Sequence, residues 1–552
     1  MDTFFAALDT INAVMLGAPM LIALLGVGIL FTLWSRFVQY RALTHGVRLL
    51  RGKVPGISGE GKGALTHFQA LSAALSATVG LGNIGGVAIA VAIGGPGAVF
   101  WMWVVGFIGM ALKSTEVTLS MLYRDTSNPD NPHGGTMWVC KRGFAELSPR
   151  LATFGWIAGG VFAVALVLFG ITGGNMFQAW NAAEIARAYF GVPGWLSGTV
   201  MALLVGAVIL GGIRRIGRIA GVLVPVMCGL YVLAAFFVIG SNLEAVPQVF
   251  ALIFSSAFAP AEAGGAFVGA SLGTAFIFGM KRALFSSESG IGSAPIAHAA
   301  VKTPEPVTEG VVAGLEPFID TLVICTMTAL VILISGVWNR GPIVPLATPP
   351  AIVEIAPQQW APLPLPLDGA PELRTGDQVF LVVEAAGARA KLFGHVHDSG
   401  GQREIRWRQI GATAAPTLAE PGLFADYPGS TLTAKAFDAT QPGLGRWMVT
   451  IAVWLFAIST MITWSYYGEQ GVVYLLGPRW VVPYRLTWCA LILITCLGFI
   501  RTDIELDALS TVALGFMLAV NLPTMVLLGH RAMRAYHDYF ERLRRGDIGR
   551  RR

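Results

Sequence analysis

Apolar residues fill long stretches of this 552-residue chain, and polar positions recur mainly between them. Eleven of the stretches approach or exceed the roughly 20 residues that a helix needs to cross a bilayer. These are residues 12–35, 67–94, 97–122, 153–178, 195–212, 217–240, 265–298, 307–338, 447–468, 484–500 and 509–529. We therefore predict an all-α polytopic membrane protein with about 11 transmembrane helices.

Glycine and small polar residues interrupt two of these stretches at their centres. The first break is residues 77–86 and the second is residues 285–295. Backbone inside a bilayer must satisfy its own hydrogen bonds, so irregular segments persist there only where they line a cavity or a site. A pair of interrupted helices in corresponding halves is typical of the binding site of a secondary transporter. Glycines that merely allow close helix packing are the alternative interpretation.

The two breaks divide the chain into corresponding halves. Ten spans follow the first one, and the breaks open the first and the sixth of these, with Gly80 and Ser287 lying 207 residues apart. An odd number of spans per half inverts the second half, which predicts a 5+5 inverted repeat preceded by one extra helix. The predicted units are the extra helix and its connector (1–66), the first repeat (67–240), the second repeat (265–338 and 447–529), an external insert (339–446) and a basic tail (530–552).

Composition and charge support a membrane location and set an orientation. Charged residues make up only 13% of the chain, against about 25% in a typical soluble domain. Of the 38 Lys and Arg residues, 26 fall on one side if the spans alternate, so the C-terminus is predicted inside and the N-terminus and the insert outside. Met1–Thr10 lacks the features of a signal peptide, so the first span is expected to be retained. We expect a multi-pass protein of the plasma membrane, the bacterial inner membrane.

The insert differs in pattern from the rest of the chain. Its proline-rich residues 343–366 predict a linker, and short alternating runs at 378–384, 390–397 and 404–410 predict a small β-rich module. Elsewhere the sequence has no phosphate-binding loop, no catalytic triad spacing and no cysteine or histidine cluster of metal-site type. An ATP-driven pump and an enzyme are therefore disfavoured. The sequence also lacks the symmetric selectivity-filter motif that a channel would need.

Helix ends at the two breaks present free backbone groups at mid-membrane depth. The positive N-terminal ends suit a carboxylate, and exposed carbonyls suit Na⁺ or an ammonium group. A zwitterionic amino acid together with a cation uses both polarities.

Ordered motifs around both breaks carry a family resemblance. The first break and the residues after it read TVGLGNIGGVA (78–88), GGPGA (94–98) and FWMW (100–103). The second reads RALFS (282–286) and GSAPIAH (292–298), and further motifs are GNMFQ (174–178), PFIDT (317–321), ST (459–460) and WSYYGE (464–469). Over residues 12–338 and 430–530 the chain resembles the alanine/glycine:cation symporter family, also called the sodium:alanine symporter family. Leu81 and residues 286–290 depart from the usual motifs, which keeps the choice between alanine and glycine open.

The resemblance implies a leucine-transporter-type core and a set of site residues. The implied substrate-binding residues are Thr78, Gly80, Leu81, Gly82, Asn83, Gln178, Phe285, Ser286, Ser287 and Trp464. The implied Na⁺ ligands are Val79, Gly80, Ala457, Ser459 and Thr460. Lys113, Glu116, Glu288 and Asp320 are expected in a gate or polar network, since ionisable residues inside the membrane are functional candidates by default.

Several of these residues also have purely structural interpretations. Gln178 could hold spans together, Ser459 and Thr460 could bond their own helix, and Glu288 could serve as a hinge. Trp464 fits either a pocket wall or an interfacial aromatic belt.

The expected function is secondary active symport that couples entry of Na⁺, with H⁺ as the alternative ion, to uptake of a small neutral amino acid such as alanine or glycine. Alternatives are a cation-coupled transporter of another small zwitterionic or carboxylate solute, and a channel. The expected partners are the amino acid and the lipid bilayer, without nucleic acid, ATP or an organic cofactor. The oligomeric state is left open.

Overall fold

A computed structural model describes most of the chain. The described residues are 11–12, 15–54, 63–129, 131–346, 348, 350–367, 373, 375–385, 387–399, 402–427, 429–499 and 503–548. The predictions for Met1–Thr10 and for the last four residues of the basic tail fall outside them.

The described chain is mostly helical, as the apolar pattern predicts. Its helices are Ala18–Trp34, Val38–Leu50, His67–Thr78, Gly82–Gly94, Gly97–Tyr123, Thr136–Leu147, Pro149–Phe190, Gly194–Ile209, Gly212–Gly240, Leu243–Phe258, Leu272–Ser287, Pro295–His298, Pro306–Ser335, Ser430–Thr440, Leu444–Leu476, Pro478–Gly498 and Asp503–Arg545. Within the described residues, 7 helices are long and apolar enough to cross a membrane, or up to 9 if each bent pair is one span. The protein is therefore a polytopic membrane protein.

Two of the predicted spans form shorter helices. Residues 195–212 correspond to Gly194–Ile209 and residues 265–298 to Leu272–Ser287, each 16 residues long. Both are shorter than a typical spanning helix. The count of eleven spans, like the 5+5 repeat, stays a prediction.

The first break bends one span by 53°. Its first half, His67–Thr78, begins with a capping box in which Thr66 and Gln69 bond each other's backbone N–H. It ends at Val79, whose backbone is extended, and the second half starts again at Gly82. The interruption predicted from glycine is thus a real change of direction.

The second break is longer and less regular. Leu272–Ser287 ends at Glu288, which adopts a left-handed conformation with φ 52°. Gly290 and Gly292 follow with φ 81° and 89°, where a side chain would be strained. The helix resumes only for the short turn Pro295–His298.

Both broken segments meet at one end of the helical bundle. Leu65 pairs with Val301 in a parallel bridge, and the Lys302 N–H donates to the Leu65 carbonyl at 2.9 Å. Nearby, Arg542 of the C-terminal helix holds Glu305 with two hydrogen bonds of 2.7 and 2.9 Å. We call this region, which carries Lys302 and Arg542, the basic end.

The insert folds into two antiparallel sheets. Its strands are Val344–Pro345, Ile352–Ala356, Gln359–Pro362, Leu365–Pro366, Gln378–Ala385, Ala388–Ser399, Gln402–Trp407, Ile410–Gly411, Thr417–Leu418 and Gly422–Ala425. In chain numbering β1–β10, seven of them form one sheet, ordered β1-β10-β5-β6-β7-β4 with β9 beside β5, and β2-β3-β8 form the other.

The prediction of a linker over residues 343–366 is wrong, since this segment supplies four of the strands. The linker was predicted because this segment is rich in proline. Proline is tolerated at strand ends and edges, and Pro345, Pro362 and Pro366 each end a strand.

The insert carries its own apolar core, which predicts that it can be removed. Leu381, Leu392 and Ile405 are buried within it. Val344 and Leu423 are direct partners in the sheet, so a short linker can join them. Replacing residues 345–422 with a few Gly and Ser residues should preserve membrane insertion and lower the thermal midpoint only slightly.

The measurement is fluorescence-detected size exclusion and thermal unfolding in detergent. Aggregation or loss from the membrane fraction would show that the bundle depends on the insert. Such dependence would arise from the contact of Phe380 and Phe424 in the insert with Ala266 in the bundle.

Candidate binding site at the broken helices

The two breaks lie against each other beside a cavity of about 90 Å³. A Cβ atom on Gly82 would lie 3.6 Å from the Cα atom of Ser286, so the two backbones are in contact. Seven of the predicted substrate residues line the cavity, namely Thr78, Gly80, Leu81, Gly82, Gln178, Phe285 and Trp464. Asn83, Ser286 and Ser287 are buried beside it.

One hydrogen-bond network joins both breaks to the helix Pro306–Ser335. The side-chain oxygen of Asn83 accepts a bond from the Gly80 N–H at 2.8 Å, and its amide nitrogen donates to Ser286 Oγ at 3.0 Å and to the Asp320 carboxylate. Ser286 also donates to Asp320 at 2.7 Å. We call Asn83, Ser286 and Asp320 the pin. Asp320, which was predicted in a gate or polar network, lies in this hydrogen-bond network.

The pin depends on a local change in helix geometry. Residues Phe318–Cys325 form wide π-helical turns around Asp320. Such turns are rare and occur often at functional sites. Thr321 Oγ1 donates to the same carboxylate at 2.8 Å, so both of its oxygens are satisfied although Asp320 is fully buried.

Neutral oxygens from two helices converge beside the first break. Thr460 Oγ1 and Ser459 Oγ both donate to the Ser76 carbonyl, at 3.2 and 3.4 Å. Ser459 Oγ also donates to the Phe456 carbonyl at 2.9 Å. These groups are buried, and carbonyl and hydroxyl oxygens are the ligands that hard cations prefer.

The predicted Na⁺ ligands are placed unequally. Ser459 and Thr460 lie against the first broken helix, and a Cβ atom on Gly80 would come within 2.9 Å of Thr460 Oγ1. Val79 is buried, and its extended backbone interrupts the helix at this point. Near Ala457, the carbonyl that accepts the hydrogen bond from Ser459 belongs to its neighbour Phe456.

Gln178 presents an acceptor to the cavity. Its Nε2 donates to the Gly173 carbonyl at 3.1 Å. Its Oε1 is buried without a hydrogen-bond partner among the described residues, and a Cβ atom on Gly80 would lie 3.8 Å from it. A buried acceptor of this kind favours a ligand that donates.

Trp464 and Glu288 form one wall of the cavity. The Trp464 ring is buried, lines the cavity and lies 4.6 Å from the Phe169 ring, centroid to centroid. Its Nε1 donates to Glu288 at 3.2 Å, and Ser293 donates to the other carboxylate oxygen at 2.5 Å. Glu288 therefore both ends a helix and faces the cavity.

Lys113 and Glu116 lie in a buried charged cluster. The predicted pair is long, with 3.9 Å between Lys113 Nζ and Glu116 Oε1. Glu316 is closer, at 3.2 Å from Lys113 Nζ, and Glu116 accepts a hydrogen bond from Asn521 at 3.0 Å. All three charged side chains are buried.

Sequence reasoning missed several members of the site. Ser76 lies in the last turn of the helix His67–Thr78, and its position just before the predicted break was the available signal for its carbonyl. The cavity lining also includes Ala77, Phe169, Gly173, Phe177, Arg282, Ser430 and Ser510. Ser430 comes from the segment after the insert, and no local pattern marks it.

The chain matches known proteins along most of its length. The model of the sodium:alanine symporter family matches residues 1–349 and 412–550. The sodium/alanine symporter AgcS of Methanococcus maripaludis is 36% identical over 487 residues, which cover 88% of this chain and 86% of that protein.

Two further relatives come from Bacillus subtilis. The putative sodium/proton-dependent alanine carrier protein YrbD is 30% identical over 97% of this chain and 93% of its own length. The probable sodium/glutamine symporter GlnT is 37% identical over 62% of this chain and 68% of its own length.

The pin should contribute strongly to stability. Asn83→Ala would leave a buried carboxylate oxygen of Asp320 and the Gly80 N–H without their partner, at a cost of about 1–3 kcal/mol or more. We expect a clear fall in the thermal unfolding midpoint of the purified protein in detergent. Asn242→Ala is the control, because within the described residues its amide bonds a local group, the Val238 carbonyl four residues earlier. Equal midpoints for the two variants would contradict the role of the pin.

Proposed function

The chain belongs to the sodium:alanine symporter family, and we propose that it is a secondary active symporter that takes up a small neutral amino acid, such as alanine, together with Na⁺. The observation that carries the proposal is the placement of the cavity. It lies between two broken helices and borders a cluster of neutral oxygens that includes Thr460. Substrate and ion therefore meet at the same backbone break.

The second half of the first broken helix fits a substrate carboxylate. The first N–H groups of a helix have no acceptor within that helix, and its positive end attracts anions. Gly80, Leu81 and Gly82 line the cavity where the helix Gly82–Gly94 begins. The absence of side chains at both glycines lets a carboxylate approach the backbone.

An acceptor pair fits the ammonium group. Gln178 Oε1 is oriented toward the cavity, as its other amide atom is engaged by Gly173. Glu288 borders the cavity beside Trp464. In this arrangement Gln178 binds the ammonium group.

Aromatic walls limit the substrate side chain. Phe169, Phe285 and Trp464 surround a cavity of only about 90 Å³. We propose that alanine, glycine and serine fit and that leucine and phenylalanine do not. The relative named for glutamine makes that amino acid the second candidate, and it belongs in any substrate panel.

Na⁺ binding is coupled to the substrate site through Thr460 and Gly80. Thr460 bonds the Ser76 carbonyl and packs against Gly80, the residue whose N–H the pin holds. An ion at these oxygens would order the break that also binds the carboxylate. A potential of 100 mV supplies about 2.3 kcal/mol per charge, enough to concentrate a neutral solute roughly 50-fold.

We also propose the finer topology. The two breaks meet at the cavity, and the segments that carry them also pair at the basic end, which supports related halves in a 5+5 repeat of an eleven-span protein. The concentration of Lys and Arg supports a bacterial inner-membrane protein with this end in the cytoplasm and the insert outside.

Uptake into proteoliposomes tests the proposal. Radiolabelled alanine, glycine, serine, glutamine and leucine are offered under an inward Na⁺ gradient, an inward H⁺ gradient, or neither. We expect Na⁺-driven accumulation of alanine, competed by glycine and serine but not by leucine. Preference for glutamine, or uptake independent of both ions, would refute it.

The ion site yields a prediction on Na⁺ dependence. Thr460→Ala removes a hydroxyl oxygen from the cluster, and Gly80→Ala places a methyl group against that hydroxyl. Both variants should require a much higher Na⁺ concentration for half-maximal alanine uptake. Thr460→Ser keeps the oxygen and should stay near the wild type. Unchanged Na⁺ dependence in Thr460→Ala would exclude the cluster as the coupling site.

The substrate site yields a prediction on affinity. Gln178→Ala should weaken alanine binding by about 1–3 kcal/mol, or roughly 5- to 150-fold, because it removes a buried acceptor. Asn181→Ala is the matched control in the same cavity, since among the described residues its amide donates to the Phe177 carbonyl of its own helix. Calorimetry in detergent with saturating Na⁺ measures both. Similar losses in the two variants would argue against a specific role for Gln178.

A further inference from the structure

Six ionisable side chains form a nearly continuous buried path from the cavity to the basic end. In order, they are Glu288, Lys113, Glu316, His298, Glu309 and His67. They come from four separate segments of the chain, and the function proposed above uses only the first of them. His67 lies at the basic end, where its side chain is 10% exposed.

The part of the path near the basic end is directly hydrogen bonded. His298 Nε2 contacts Glu316 at 2.5 Å, and its Nδ1 contacts Glu309. The second oxygen of Glu309 contacts His67 Nδ1. An imidazole that bridges two carboxylates can take a proton at one nitrogen and release another at the opposite nitrogen.

The part near the cavity is electrostatically connected. Lys113 lies 3.2 Å from Glu316 and is attracted by Glu288 and Glu116. Lys113 Nζ, Glu116 Oε1, Glu316 Oε2 and the Tyr467 hydroxyl are buried without a protein hydrogen-bond partner in the described residues. Buried polar atoms of this kind bind water, which would bridge the remaining gap.

The charges of the cluster require bound protons. Four buried carboxylates, Glu116, Glu288, Glu309 and Glu316, stand against one lysine and two imidazoles. Arg124 faces Glu309, Asp320 faces Lys113, and Tyr466 lies beside Tyr467. Buried charges must be closely balanced, so the number of protons held here controls the net charge.

We propose that this path is a proton relay that carries a proton between the substrate cavity and the basic end during each transport cycle. The proposal rests on the symport function proposed above and adds a second ion to it. Its carrier residues are Glu288, Glu316, His298, Glu309 and His67, with Lys113 as the positioning charge.

The transfer steps balance without any co-reactant. Protonated Glu316 gives its proton to His298 Nε2 as His298 Nδ1–H gives its proton to Glu309. Glu309 passes it to His67 Nδ1, and His67 Nε2, which is buried without a hydrogen-bond partner among the described residues, releases a proton to water at the basic end. The reverse order moves a proton from the basic end to the cavity. Glu288 exchanges a proton with Glu316 through bridging water near Lys113.

The test separates proton movement from amino-acid uptake. Proteoliposomes contain the full-length protein and a trapped pH-sensitive dye, and the membrane potential is clamped with K⁺ and valinomycin. Under a Na⁺ gradient, alanine is added, and internal pH and radiolabelled alanine are followed in parallel. We expect an alanine-dependent pH change in the wild type and its reduction at least 10-fold in Glu309→Gln, with alanine binding retained.

Glu469→Gln is the matched control. Glu469 is also a buried glutamate, paired with Arg485 at 2.8 Å, but it lies outside the relay. This variant should keep the alanine-dependent pH change. If Glu309→Gln is not monodisperse after purification, His67→Gln at the edge of the bundle replaces it and must reduce the pH change as well.

Each outcome decides between the two proposals. Alanine uptake without a pH change in the wild type, or an equal pH change in Glu309→Gln, overturns the relay and leaves the symport function intact. Absence of Na⁺-driven alanine uptake in the wild type overturns the symport function. A reduced pH change in both Glu309→Gln and Glu469→Gln would identify the cluster as structural and also overturn the relay.

Discussion

The structure depends on one constraint, which is that backbone polar groups inside an apolar bundle must find partners. Each break frees N–H and C=O groups where no solvent competes for them, and each unsatisfied group costs several kcal/mol in lipid. The pin supplies those partners at the point of contact between the breaks, because one asparagine serves the Gly80 N–H, Ser286 and Asp320 together. Without such a group, burying the two interrupted helices side by side would be energetically unfavourable.

The groups left unsatisfied are equally informative. Asp320 has both oxygens occupied, so we assign it to holding the breaks together. Gln178 keeps a buried acceptor at the cavity that has no hydrogen-bond partner among the described residues. Satisfied groups mark the scaffold, and incompletely satisfied groups mark the places where a ligand gains binding energy. Hydrogen-bond satisfaction therefore separates structural from ligand-binding residues that the sequence alone does not tell apart.

Sequence alone predicts the features that arise from local pattern. Apolar length predicts the helices, and clustered glycines predict both breaks. The missed features arise from contacts between distant segments, such as the bonds of Glu309 to His67, 242 residues away, and to His298. No spacing rule joins these three residues. The strands over residues 343–366 were missed for a different reason, because proline at a strand end resembles proline in a linker.

Glu288 links the pin, the cavity wall and the charged cluster. Its left-handed backbone ends the helix that carries Ser286 of the pin, while its side chain bonds Trp464 at the cavity wall and attracts Lys113 of the charged cluster. A left-handed conformation is uncommon for a residue with a side chain and persists only where the surroundings hold it. Rearrangement of this turn would therefore alter the cavity, the pin and the cluster together. Coupling between substrate and ions then follows from shared backbone geometry at the second break.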